Sequence, residues 1–149
     1  MMVKNIRRVV TTNDQNGESK VWIDDVASTA KVSRPGVTGT VVWTTDTMPP
    51  DITGSEDLGL RDVSRPPVHQ GTIFRVIEFE PGNTTDMHVT ETIDYAIVLK
   101  GEIDMELEQG PPVHLEEGDI IVQRATLHDW VNTGEETCVI AFILIDAHE

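Results

Sequence analysis

From residue 71 onward the chain runs in short stretches whose apolar and polar side chains exchange places at every step. Glu102 to Glu108 alternates without a fault, with Ile103, Met105 and Leu107 on one side and Glu102, Asp104, Glu106 and Glu108 on the other. A period of two is the mark of a half-buried antiparallel strand. "GTIFRVIEFEPG" sets Ile73, Ile77 and Phe79 against Phe74, Val76, Glu78 and Glu80, and "VHLEEGDIIVQ" repeats the pattern around a turn at Glu117-Gly118-Asp119. "EQGPP" makes a further turn, since Gly110 tolerates positive φ and the prolines cannot continue a central strand. Thr137 to Ile145 is apolar on both faces, which predicts a strand buried between two layers. No long amphipathic helix is legible anywhere.

The first 46 residues read as further strands, in "IRRVVTT", "SKVWIDDV" and "GTVVWTTD", packed on the body of the fold or on a partner copy. Residues 47–70 lose all period and carry four prolines and two glycines. So long an aperiodic stretch is unusual inside a compact domain. It is expected to lie over the mouth of the fold as a lid, along a partner copy, or loose on the surface. Residues 71–149 then form the core of one all-β domain, a sandwich or barrel.

At 149 residues the chain suits a single domain with a real core. Its formal charge of −15 repels phosphate backbones and anionic membranes, so neither nucleic acid nor a membrane surface is an expected partner. Cys138 is the one cysteine, which excludes an internal disulfide and a thiolate cluster, and its apolar neighbours predict burial. The basic N-terminus has no apolar core of a signal peptide, and no stretch is long and apolar enough to span a bilayer. A cytoplasmic setting is the expectation.

Candidate chemistry sits in "MHVTETIDYAIVLKG". His88 and Thr90 share parity and project to the same side, and Asp94 follows a polar break at Glu91 and Thr92. In "QRATLHDWVN", His128 shares parity with Trp130 and Asn132. His88, Asp94 and His128 could converge only inside a closed or nearly closed sheet. They would there form a two-histidine, one-carboxylate set with open positions, suited to Fe(II) and acceptable to Zn(II) or Mn(II).

The spacing resembles the cupin superfamily. Its first motif is glycine, five residues, His-x-His, three or four residues, glutamate, six residues, glycine. Gly82, His88, Thr90, Asp94 and Gly101 stand in that register, with Thr90 in the place of the second histidine and Asp94 in that of the glutamate. The second motif matches at Gly118, His128 and Asn132, with Gln123 and Ala125 replacing its proline and glycine and a spacer one residue short. The resemblance covers residues 71–146 and is to the small stand-alone cupins of bacteria and fungi. It implies a double-stranded β-helix barrel, jelly-roll-like, with an N-terminal strand extension, commonly a homodimer, and often a divalent metal (Fe, Mn or Zn) in the barrel.

Three states of the site remain open on these residues. One is a metal centre of His88, Asp94 and His128, with Thr90 holding a water. The second is a metal-free pocket in which His128 and Asp94 act as an acid/base pair, Asp94 carrying a pKa raised by burial. The third is a structural pair of histidines. Arg75 shares parity with Ile73, Ile77 and Phe79. It either points into the barrel, where a substrate carboxylate would partner it, or snorkels to the barrel end. Trp130 is a candidate pocket wall or a core residue. Tyr95, of opposite parity to Asp94, is expected to pack. His69, His114 and His148 show no ligand spacing, and the last two are expected on the surface.

The resemblance implies a metal-dependent enzyme of lyase, isomerase or oxygenase type acting on a small oxygenated organic compound. Arg75, Thr90 and Trp130 would line its substrate. The rivals are a non-catalytic cupin that binds a small ligand without metal, and a structural dimer whose pocket is filled by apolar side chains.

Overall fold

The computed structural model describes residues 5–63 and 66–148. Its strands are β1 (Arg7–Asn13), β2 (Ser19–Val26), β3 (Lys31–Arg34), β4 (Val37–Thr45), β5 (Thr72–Phe79), β6 (Thr92–Lys100), β7 (Glu102–Leu107), β8 (Val113–Glu116), β9 (Ile120–Arg124), β10 (His128–Val131) and β11 (Cys138–Asp146). A single 3-10 turn at Leu58–Leu60 is the one helical element among the described residues. Six strands form an antiparallel sheet in the order β3-β4-β5-β11-β6-β9, and three more form a second sheet in the order β10-β7-β8. The protein is thus all-β, a two-sheet jelly roll of the double-stranded β-helix type, with β1 and β2 as a separate hairpin ahead of it.

The alternation in the sequence becomes the two faces of each strand. On β6 the buried Thr92, Asp94, Ala96 and Val98 alternate with the exposed Tyr95, Ile97 and Leu99. The core lies between the sheets, where Phe79 meets Trp130 at 6.2 Å between ring centroids and Trp130 meets Phe142 edge-on at 5.6 Å. Full burial of side chains such as Phe79, Ile73, Ile103 and Ile140 stabilises the fold by about 1.5–3 kcal/mol each. Strand β11 is buried on both faces, as its unbroken apolar run predicts. Cys138, Ile140, Phe142 and Leu144 face the main core, while Val139 and Ala141 join Val76 in a second cluster covered by Ile6 and Val42. That cover does not reach Tyr95, which is 44% exposed rather than packed. Its strand faces solvent there because the N-terminal residues shield the β5–β11 side of the sheet, not the β6–β9 side.

The N-terminal strands do more than extend the fold. β3 and β4 form a hairpin around Pro35-Gly36, and β4 pairs with β5 inside the main sheet. β4 begins at Val37, two residues before the run expected from sequence, and a bulge between Val41 and Trp43 breaks its period. The β1–β2 hairpin is fastened by Arg8, almost fully buried, which binds Asp25, Asp57 and the Val42 carbonyl. Trp22 also stacks edge-on against Trp43 at 5.8 Å.

Among the described residues of 47–70, none lines the space between the two sheets that holds His88, Asp94 and His128. Asp57 accepts from the Gly59 N–H, Thr44 donates to the Leu58 carbonyl, Arg61 binds Asp46 and Glu56, and Val63 packs against the core. The segment therefore runs along β4. Ser64 and Arg65 lie outside the described residues.

Candidate metal and ligand site

His88 and His128 reach the site through the backbone of one sheet. Residue 88 forms an antiparallel bridge with residue 128, each N–H donating to the other's carbonyl at 3.0 Å. This bridge lengthens the three-stranded sheet by one short strand and sets both imidazoles on its inner face, with ring centroids 4.5 Å apart. Asp94 comes from the opposite sheet, buried on the inner face of β6 between Leu144 and Gln123. The two sheets enclose a cavity of about 120 Å³ lined by His88, Thr90, Asp94, His128, Arg75 and Trp130, together with apolar side chains of β5 and β11. All six residues singled out in the sequence thus meet in one space. The cavity is open, unlike the apolar-filled pocket of a vestigial site.

The imidazoles have their tautomers fixed. His88 Nδ1 lies 2.6 Å from the Asp86 carbonyl and His128 Nδ1 lies 2.7 Å from the Thr126 carbonyl. A carbonyl oxygen only accepts, so both Nδ1 atoms carry the proton and each Nε2 keeps its lone pair. Backbone carbonyls hold metal-binding histidines in this way. Asp94 accepts from Thr92 Oγ1 through one oxygen at 2.6 Å. Burial raises the Asp94 pKa, an effect partly offset by the Thr92 bond and by His128, Arg75 and His88. Burial likewise lowers the pKa of His128, favouring the neutral ring that a ligand or base needs.

The donor set therefore fits a divalent cation in atom type and tautomer. Its spacing is looser than a closed shell. Among the described residues, the group of three donors lying within 4.8 Å of one another is Glu102, His114 and Glu116. That group is exposed on the outer face of β7 and β8, so His114 lies on the surface as expected but does have carboxylate neighbours. His114 Nδ1 is 2.7 Å from Asp104, whose carboxylate raises the imidazole pKa.

The sequence placed Gly101, Ala125 and Asn132 in the two motifs but did not reveal the scaffold they build with Asn83 and Asp129. Asn132 is 1% exposed and holds the β10 end in place: its amide donates to the carbonyls of Phe79 and Glu136, and its Oδ1 accepts from Gly134 N–H. Asn83 answers from the turn after β5, donating to the Trp130 carbonyl and accepting from Asn132 N–H. Asp129 is also buried and accepts from the backbone of Asp86 and Trp130. Ala125, standing where the second motif has glycine, takes φ 51°, the left-handed conformation that glycine adopts without strain. Gly101 shows the same logic unaltered: φ is 78° and a Cβ would come 2.8 Å from the Thr137 carbonyl. Ser33, Arg34 and Gly39 of the β3–β4 hairpin line the cavity as well, though nothing local marks them.

A sequence model of the cupin domain matches residues 75–145. A cupin-domain-containing oxidoreductase, fogC of Aspergillus ruber, is 29% identical over 148 residues, covering 95% of this chain and 73% of that protein. Another, srdD of Neurospora crassa, is 35% identical over 114 residues, 73% of this chain, though the chain spans only 58% of that relative's length. Among solved structures, a double-stranded β-helix protein from Klebsiella pneumoniae superposes with a TM-score of 0.55 at 19% identity, covering 80% of this chain and 85% of its own. No helix among the described residues is long and apolar enough to cross a membrane.

Proposed function

Because the chain belongs to the cupin superfamily, we propose that it is a small metal-dependent enzyme working on an oxygenated organic compound inside the barrel. His88, Asp94 and His128 hold the ion. The observation that carries this reading is the paired tautomer: two imidazoles, bridged through their backbones, both present Nε2 rather than Nδ1 to one cavity. A divalent ion in that set supplies Lewis-acid or redox chemistry at open coordination positions. Of the lyase, isomerase and oxygenase types, the names of the relatives favour an oxidoreductase.

The chain's own residues position the substrate. Trp130 and Phe142 form an apolar wall that excludes water, Thr90 offers a hydroxyl where a further ligand histidine would stand, and Arg75 brings a cation to the cavity. The test is metal stoichiometry after dialysis against Fe(II), Mn(II) or Zn(II). Wild type should retain about one equivalent, and His88→Ala or His128→Ala should lose it. Protein that takes up no stoichiometric metal under any of these conditions rules the reading out.

The loose donor spacing and Thr90 favour one alternative, a metal-free pocket that binds a small ligand, with His128 and Asp94 as its polar contacts. Ligand binding that persists in chelated protein and is weakened by His128→Ala would support it.

A further inference from the structure

We infer that the ligand of this cavity is a small carboxylate with a compact apolar body, its carboxylate held by Arg75 and its size limited at Gly39. This rests on the reading above only in taking the cavity as the working site. The first ground is charge. In a chain of net charge −15, the side chains lining the cavity include two cations, Arg34 and Arg75, and one carboxylate, Asp94. Cations thus outnumber anions there even with Asp94 ionised. The field of the whole protein runs the other way, so the local balance is a property of the site.

The second ground is placement. Arg75 stands on the inner face of β5, paired with Phe142 of β11, which is paired in turn with Ala96 of β6. Asp94 lies two residues before Ala96 on the same face, so Arg75 approaches from two strand spacings away, roughly 10 Å across the sheet. A molecule lying between them would meet a guanidinium fork at one end and the His88, Asp94 and His128 donors at the other. A planar fork matches a carboxylate in two parallel hydrogen bonds, a geometry that a neutral amide or alcohol cannot reproduce.

The third ground is shape. Phe79, Trp130, Phe142 and Leu144 line the space between these poles, which suits an apolar body. About 120 Å³, at roughly 10–15 Å³ for each water-sized group, admits roughly ten non-hydrogen atoms. Gly39 borders the same space from β4, and a Cβ placed there meets nothing within 4 Å. The residue's missing side chain leaves room beside the ligand, and a Cβ there would enter that space without touching the sheet.

The experiment is calorimetric titration of the full chain with benzoate, benzamide and acetate, before and after treatment with a chelator, with metal content measured on the same samples. Wild type should bind benzoate at least tenfold more tightly than its neutral isostere benzamide, and the preference should survive chelation. Arg75→Gln should raise the benzoate Kd at least tenfold while leaving benzamide within twofold, and Gly39→Val should weaken benzoate but spare acetate. Equal affinity for benzoate and benzamide in wild type overturns the inference without any variant. So does a preference that disappears with the metal and is unchanged in Arg75→Gln. If His128→Ala loses metal yet keeps the benzoate preference, the carboxylate inference stands on its own. If metal is never bound but the preference is present, the metal reading alone has failed.

Discussion

Asn132 belongs to the second cupin motif, and the geometry makes it a fastening for the site instead of a member of it. Replacing it with alanine removes three side-chain hydrogen bonds at once. The bonds to Glu136 and Gly134 are partly buried and are each worth about 1 kcal/mol. The third leaves the carbonyl of buried Phe79 without its donor, which costs about 1–3 kcal/mol. The expected loss is therefore roughly 3–5 kcal/mol, a large share of the 5–15 kcal/mol typical of a domain. For a chain of this size each kcal/mol lowers Tm by about 2–4 °C. Urea and thermal unfolding of metal-free protein measure the loss, and metal titration at low temperature measures the site in the molecules that remain folded. Asn132 does not line the cavity, so metal affinity of the folded fraction should stay within a few-fold of wild type. A loss below about 1 kcal/mol at unchanged m-value would refute the hydrogen-bond argument. A collapse of metal binding as deep as that of His128→Ala would refute the division between fastening and ligand.

Asp94→Asn probes the carboxylate through pH. Burial raises the Asp94 pKa in the folded chain against the nearby His128, Arg75 and His88, so its stabilising contribution is full below the unfolded carboxylate pKa and is lost as pH rises through the folded value. In chelated protein the variant should therefore melt higher than wild type at neutral pH, with the gap closing as the solution is acidified. With metal present the order should reverse, and a wild-type advantage in both conditions would contradict the assignment. Ala125→Gly relieves a left-handed alanine whose strain of about 1–2 kcal/mol outweighs the 0.5–1 kcal/mol entropic cost of glycine. Its Tm should rise by a few degrees, and a fall would mean that the strain is not there.

The parts of the fold that could be read from the sequence are those where one face is buried and the other wet. Ile103, Met105 and Leu107 declared β7 by alternation, whereas the parity that Arg75 shares with Ile73 and Phe79 named its face of β5 but left open whether it points into the barrel or snorkels to its end. The β3–β4 hairpin was only half legible, since Lys31–Arg34 is mostly exposed and the bulge after Val41 destroys the period. For that reason Ser33, Arg34 and Gly39 stayed hidden, although they border the same space as His88. Their nearness depends on sheet order, which no local pattern encodes. The partnership of Asn83 with Asn132 was invisible on the same ground, the two standing 49 positions apart. Tyr95 was misjudged because parity tells which face a residue occupies but not whether anything covers that face.

His88 and His128 are register partners, which divides the site into two mechanically different halves. The distance between the imidazoles is a property of backbone pairing, and a slip of one residue on either strand would turn a histidine to the opposite face. Asp94 answers to no such constraint from that sheet, because it reaches across from the other one. A lineage carrying this barrel can therefore retune its third donor by side-chain length alone, one methylene at a time, while the histidine pair acts as a fixed gauge. On the proposed metal reading, Asp94, standing where the first cupin motif has glutamate, lies on the adjustable side.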